Sequence, residues 1–282
     1  MIFNYDNESK RFDLKKSNAK EKVFGDKMIF EIPKKKIKVL KTFEAFIKYF
    51  PNIANYQISH KKNPFDIIKE LSINVKIMNY LNIISEYLVK EKVIENNLDI
   101  YYEKLTNYIF SEIYEKLYPP KPFEMDNKIF DKSKSLSWIE PKNIFEKEYV
   151  FDNILPDILK EFERINLVKT PNKKLNCIEK IYKLIISLIR LNEGEDYNVG
   201  IDDITPIFFY IIIKAHPFRI FSDIEYIKVF LNGDYVNKHS LIHLEVLSIK
   251  ILNSDSRDYN ISEVEYEKKC KEAMINNKNN EN

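Results

Sequence analysis

At 282 residues with 44% apolar side chains, the chain is long enough for one large or two modest domains around a real core. Its 45 basic and 43 acidic residues nearly cancel, to a formal net charge of +2, which argues against nucleic acid as a partner. Only 4 glycines occur and none lies in a Gly-rich loop, so a P-loop or dinucleotide-binding turn is not expected, while few glycines and long apolar periodicities favour helices.

Residues 1–60 read as a lysine-rich, irregular extension, in which Val23-Phe24-Gly25-Asp26 followed by Met28-Ile29-Phe30 has the pattern of a short hairpin. No signal peptide precedes Asn4-Tyr5-Asp6, and the longest uncharged apolar run is about ten residues where a bilayer span needs ~20. A cytoplasmic protein without a transmembrane segment is therefore expected. Lys34-Lys35-Lys36-Ile37-Lys38 is basic enough to touch anionic lipid, which leaves peripheral membrane contact open, although so short a run reads first as solvated surface.

From Phe65 to Val93 apolar residues recur at helical spacing: Ile68, Leu71, Val75, Met78, Leu81, Ile84 and Leu88. A second stretch carries Tyr101, Leu105, Tyr108, Ile109, Ile113 and Leu117, and Pro119-Pro120 ends it. The lone tryptophan, Trp138, sits in the short piece Leu136 to Ile139. A helix is expected over Val150 to Ile165, with Pro156 in its first turn or at a kink. Thr170-Pro171 and Thr205-Pro206 both read as an N-cap followed by proline at the first helical position. Ser222 and Glu225 have capping-box spacing, and a last core helix is expected from Ser240 to Leu252. Beyond Asn253 the chain turns polar, with a charged helix over Ser262 to Met274 before an Asn-rich, disordered end.

The most informative segment is Gly-Ile-Asp-Asp-Ile-Thr-Pro-Ile-Phe-Phe-Tyr-Ile-Ile-Ile-Lys-Ala-His-Pro, Gly200 to Pro217. A helix with no charge from Ile204 to Ile213 must be largely buried, whereas Asp202 and Asp203 at its mouth must not be. The pair sets carboxylates at the rim of an apolar surface. On local grounds alone they read first as a complement to the positive end of the helix, and Lys214 likewise reads as a helix-end cation.

Several stretches, taken in order, resemble one family. Leu167-Val168-Lys169-Thr170-Pro171-Asn172-Lys173-Lys174-Leu175-Asn176-Cys177-Ile178 is similar to the opening of the catalytic domain named after vacuolar protein sorting nine. Gly200 to Pro217 resembles that family's acidic core motif, and Ser222-Asp223-Ile224-Glu225-Tyr226-Ile227 a following helix. Tyr114 to Tyr118 and Leu136 to Pro141 resemble the helical bundle that precedes the core. The resemblance spans residues 100 to 255 and extends plausibly from 65. It implies an all-α fold, a helical bundle followed by a layered helical core in one compact unit. The expected layout is an extension over 1–60, a helical domain over 61–255 (bundle about 61–130, core about 131–255) and a polar tail over 256–282.

Members of this family are guanine nucleotide exchange factors for small GTPases of the Rab-five subfamily on early endosomes. The resemblance implies a groove between the helix after Pro206 and the helix after Ser240, into which the GTPase switch region fits. Asp202 stands at the position of the acid that approaches the phosphate and magnesium site. Asp203, as an orienting or capping residue, and Pro206 stand among the expected GTPase-binding residues. Ser240 and His243 occupy the positions of a tyrosine and a threonine that face the GTPase in the family, and His216 replaces an asparagine. An adaptor of the same fold, binding a GTPase without driving exchange, is the rival reading. Such exchange needs neither covalent chemistry nor a cofactor, and no arrangement for nucleophilic catalysis is visible. Cys177 and Cys270, far apart and without metal spacing, read as free thiols of a reducing compartment. His239 and His243 have a metal-compatible i, i+4 spacing but no HExxH pattern or third ligand, so no metal is expected.

Overall fold

The computed structural model describes residues 2–5, 10–13, 22–24, 27–29, 46–48, 50–55, 63–90, 98–145, 149, 151, 154–231 and 238–280. The Lys34–Lys38 run lies outside them. Two short antiparallel pairs come first, β1 (Ile2–Tyr5) with β2 (Lys10–Asp13) and β3 (Lys22–Phe24) with β4 (Lys27–Ile29). The second pair is the hairpin expected from the sequence. From Pro64 onward the described chain is helical, as the all-α reading requires. It falls into two compact units, Met1–Pro120 and Lys121–Asn282, where one was expected. The division follows the Pro119-Pro120 pair, which cannot continue a helix.

In the first unit, α1 (Pro64–Glu70), α2 (Ile73–Lys90) and α3 (Leu98–Leu117) pack in succession. The periodicity from Phe65 to Val93 suggests one continuous helix, but Ser72 adopts a left-handed φ of 51° and breaks it. The break shifts the phase. Leu71 and Val75 turn to solvent, while Ile73, Ile77, Leu81 and Ile84 face inward. At the end of α3, Lys116 donates from Nζ to the carbonyls of Ile47 and Phe50 at 2.6 and 3.1 Å.

The second unit is built around α7 (Ile201–Ala215), which touches α4 (Glu124–Ser135), α5 (Leu155–Leu167), α6 (Pro171–Glu193) and α9 (His239–Asn253). Enclosure on so many sides is why its sequence can be apolar all round: Ile204 and every residue from Ile207 to Ile213 are buried. Helices α5 and α6 form a hairpin, and Pro156 sits in the first turn of α5 as expected. Thr170 caps α6 as read, its hydroxyl oxygen accepting from the Lys173 amide at 3.3 Å ahead of Pro171. At the other end Gly194 terminates α6 at φ 112°, a conformation costly for any side chain.

Three buried charged side chains bind the core together. Lys174 on α6 pairs with Asp223 on α8 (Ile220–Leu231) at 2.8 Å and donates to the Ile165 carbonyl at 2.7 Å, with both side chains almost fully buried. Asp126 on α4 accepts from the Phe123 and Ser222 amides, both at 2.9 Å, and from the Ser222 hydroxyl. Ser222 is therefore not the N-cap suggested by its spacing to Glu225. Helix α8 begins earlier, at Ile220, Ser222 bonds across the fold, and Glu225 pairs instead with Lys228.

The core does not stop near residue 255. A 3₁₀ turn over Ser256–Tyr259 drives Tyr259 inside, where its ring stacks on Phe209 and Tyr266 at 6.3 and 5.9 Å. Helix α10 (Glu263–Asn280) is capped by Ser262, which accepts from the Glu265 amide at 3.3 Å, as the sequence suggests. It runs further than expected, through the Asn-rich stretch, and lies along α4, with Asn277 donating to the Lys134 carbonyl at 3.0 Å.

Candidate functional site

The mouth of α7 differs in detail from the pattern of its sequence. Thr205-Pro206 looks like a helix start, yet the helix begins at Ile201 with Gly200 as N-cap. Asp203 makes this earlier start favourable. One of its carboxylate oxygens accepts from the Gly200 amide at 2.8 Å, and the other accepts from the Tyr197 hydroxyl at 3.0 Å. Asp202 and Asp203 thus lie within the first turn, at the positive end of the helix dipole, rather than ahead of it.

Asp202 is exposed, and among the described residues no hydrogen bond or ion pair engages its carboxylate. One neighbouring acid is spent on capping and the other is left for solvent or a partner. Pro206 lies inside the helix and has no N–H, so the Asp202 carbonyl loses its usual i+4 donor. Thr205 and Pro206 are half-buried, and Ile201 beside Asp202 is 59% exposed.

Helix α9 packs against α7 and carries two apolar faces. Leu241, Leu244, Leu247 and Ile251 are core. Ile242, Val246 and Ile249, at i, i+4 and i+7, form a second stripe that is partly open to solvent at Ile242 and exposed to 56% and 46% at Val246 and Ile249. Val246 lies in the row of His243 and Lys250, and both of these touch α7: His243 reaches Thr205, and the Lys250 ammonium sits 5.1 Å from the Phe209 ring. The apolar stripe therefore borders the α7–α9 seam. Single exposed apolar residues need no explanation, but a row of them on the helix packed against α7, whose first turn carries an unengaged carboxylate, does. Sequence reading missed this stripe. Its signal was an α9 with more apolar positions than one buried face uses.

Ser240 and His243, placed by alignment among the GTPase-binding residues, are both largely buried at the start of α9, His243 with 8% exposure. His243 lies between the rings of Tyr182 and Phe208, at 5.9 and 5.6 Å, and burial lowers its pKa. Its i−4 neighbour His239 is exposed. Among the described residues no group of three His, Cys, Asp or Glu side chains is placed to hold a metal ion. Cys177 is buried, and desolvation together with the nearby Glu161 charge pushes its thiol up to about 11, out of the range of a reactive thiolate.

At the far end of α7, Lys214 donates to the Ser137 carbonyl at 2.8 Å, and burial lowers its pKa. His216 ends the helix in a left-handed conformation at φ 42°. The Ser133 hydroxyl donates to the Phe130 carbonyl, so the His216 ring nitrogen Nδ1 donates to Ser133 at 3.3 Å. Burial, then the Lys214 and Lys134 charges, bring the His216 pKa from the usual 6.5 down to about 4. The folded state thus favours the neutral ring, and the unfolded chain takes up a proton first on acidification. Stability from this residue is complete above pH 6.5 and drains away as pH falls toward 4. His216→Asn keeps a residue that tolerates the left-handed turn. Urea midpoints measured between those pH values are expected to fall less steeply in this variant than in the parent.

Among the described residues no single helix is long and apolar enough to cross a membrane. The sequence model of the Vacuolar sorting protein 9 (VPS9) domain matches residues 155–252, the span from α5 through α9. The chain is 28% identical to Vacuolar protein sorting-associated protein 9A of Arabidopsis thaliana over 64% of its own length and 36% of that protein's. It is 26% identical to the Rab5 GDP/GTP exchange factor of Bos taurus, over 54% of this chain and 32% of the relative. A shorter match, 31% over 30% of this chain, joins it to the GTPase-activating protein and VPS9 domain-containing protein 1 of Xenopus laevis, of which it covers 6%. The chain thus spans little more than a third of the length of its first relatives. The match to the VPS9 domain thus runs over helices α5 through α9, with the buried α7 among them.

Proposed function

We propose that the chain is a guanine nucleotide exchange factor for a Rab-five-type small GTPase in endosomal vesicle traffic, acting as a cytoplasmic protein peripheral to early endosomes. The observation that carries this reading is the exposed Asp202, unengaged among the described residues, in the first turn of α7, together with the outer apolar stripe on α9, the helix that packs against α7. The stripe supplies area for the apolar switch region of the GTPase, with Ile201 and Pro206 extending it toward the acid. Asp202 then faces the phosphate and magnesium site. Asp203 contributes by holding the turn, and Ser240 and His243 contribute from beneath the surface.

The mechanism is a shift of population by differential binding. The domain binds the nucleotide-free, open-switch GTPase more tightly than the nucleotide-bound one. Apolar contact stabilises the open switch, and the carboxylate disfavours bound phosphate by charge repulsion. The same carboxylate can pair with the GTPase lysine that the departing phosphate leaves behind. No bond is made or broken, and the protein's own charge placement does the work.

Release of a fluorescent guanine nucleotide from a panel of Rab GTPases tests the reading. Acceleration confined to Rab-five-type members is expected. Binding to the same GTPase without acceleration would establish the adaptor alternative, and no binding to any member would remove GTPases from the account.

A further inference from the structure

The first turn of α7 has a weakness and a support. The weakness is Pro206, which denies the Asp202 carbonyl its backbone donor and loosens the helical ladder at the residue that carries the acid. The support comes from another helix. The Thr205 hydroxyl donates to the Ile201 carbonyl at 2.7 Å and lies 3.1 Å from Nε2 of His243 on α9. A hydroxyl has one proton, and Thr205 spends it on Ile201, so the histidine must donate to Thr205. That assigns His243 the neutral Nε2–H tautomer. Its Nδ1 is buried, and among the described residues no group reaches it, as expected for a ring that carries no second proton.

The ring is poorly placed to contact a partner and well placed to hold a neighbour. Tyr182 and Phe208 meet it nearly edge-on, at 68° and 84°, which fixes its plane and aims its one donor at Thr205. Lowering of its pKa by burial keeps the ring neutral, consistent with a single donor. The chain of contacts runs from α9 through His243 and Thr205 to the Ile201 carbonyl, one residue before Asp202.

We propose that His243 is a positioning residue: through Thr205 it locks the first turn of α7 to α9, holding the Asp202 carboxylate in a fixed place relative to α9. This rests on the exchange reading above and deepens it, because charge repulsion works only if the acid cannot swing away from the phosphate. Nothing in the local sequence near Asp202 supplies this constraint. It is a tertiary bond between residues 38 apart.

Three substitutions test it in the full chain: Thr205→Val, which keeps the shape and removes the hydroxyl; His243→Leu, which removes the donor; and His243→Gln, which restores a donor. Thr205→Val and His243→Leu are each expected to lower the maximal exchange rate about tenfold with little change in KM for the GTPase, a coupling typical of residues in direct contact. The double variant should be no slower than either single one, and His243→Gln should recover most of the rate. A purely structural role would instead show additive losses, or a glutamine variant as impaired as the leucine one, and either result overturns the proposal. Nitrogen NMR of the histidine rings gives a readout independent of exchange. An Nε2–H tautomer at neutral pH, with its ring proton exchanging faster in Thr205→Val, is expected. An Nδ1–H tautomer contradicts the bond, and a doubly protonated ring contradicts the neutral assignment. A parent chain that accelerates no Rab overturns the functional reading and the positioning role together, while the ring signal still reports whether His243 holds Thr205.

Discussion

Replacing Lys174 with methionine should cost about 3–5 kcal/mol of stability, the cost of leaving one buried charge without its partner. The pair it breaks is sealed: Lys174 and Asp223 are 1% and 2% exposed at the side chain, and their separation is 2.8 Å. Methionine fills most of the lysine's volume, so the loss is electrostatic rather than a cavity. It removes the cation that faces the Asp223 carboxylate in the core and the donor to the Ile165 carbonyl. A unit of this size shifts by roughly 2–4 °C per kcal/mol, so the melting temperature should fall on the order of ten degrees. The double variant Lys174→Met, Asp223→Leu should regain much of that, because an apolar pair of similar volume is often as stable as a buried ion pair. Thermal denaturation of the two variants beside the parent decides it. A single variant as stable as the parent would mean that the pair is solvated.

The second large effect concerns the rate rather than the fold. A carboxylate about 5 Å from a phosphate charge, at an effective dielectric of about 20, contributes roughly 3 kcal/mol of repulsion. That corresponds to more than a hundredfold in nucleotide affinity. Asp202→Ala should therefore slow catalysed nucleotide release by about two orders of magnitude. The fold should be untouched, since Asp202 is exposed and the N-terminal cap is made by Asp203. The contrast between the neighbours is itself informative. Asp203→Ala removes acceptors from the Gly200 amide and the Tyr197 hydroxyl, so it acts by loosening the turn rather than by deleting the charge that meets the phosphate.

What the sequence revealed depended on how local the cause was. The Thr170-Pro171 start of α6, the stop at Pro119-Pro120 and the burial of α7 each follow from residues within a few positions, and each is found in the structure. The start of α7 was obscured by two competing local signals. Thr205-Pro206 has the better N-cap chemistry, but Asp203 reaching back to Gly200 wins, and the threonine hydroxyl turns to Ile201. Leu71 was misplaced because one left-handed residue, Ser72, resets the helical phase without any proline or glycine to mark it. Ser222 looked like a cap because its true partner, Asp126, is 96 positions away. The candidate site divides in the same manner. Asp202 and Asp203 stand out in the sequence through their contrast with the apolar run that follows. The outer stripe of α9 and the His243–Thr205 bond exist only once α7 and α9 are packed together.

The most direct measurement compares the parent and Asp202→Asn, an amide of the same size as the acid, for release of labelled GDP from a Rab-five-type GTPase and for binding to that GTPase without nucleotide. The account predicts that the parent accelerates release and that the amide variant still binds while losing nearly all acceleration. Equal acceleration by the two proteins would contradict it, because the charge at position 202 would then have no part in expelling the nucleotide.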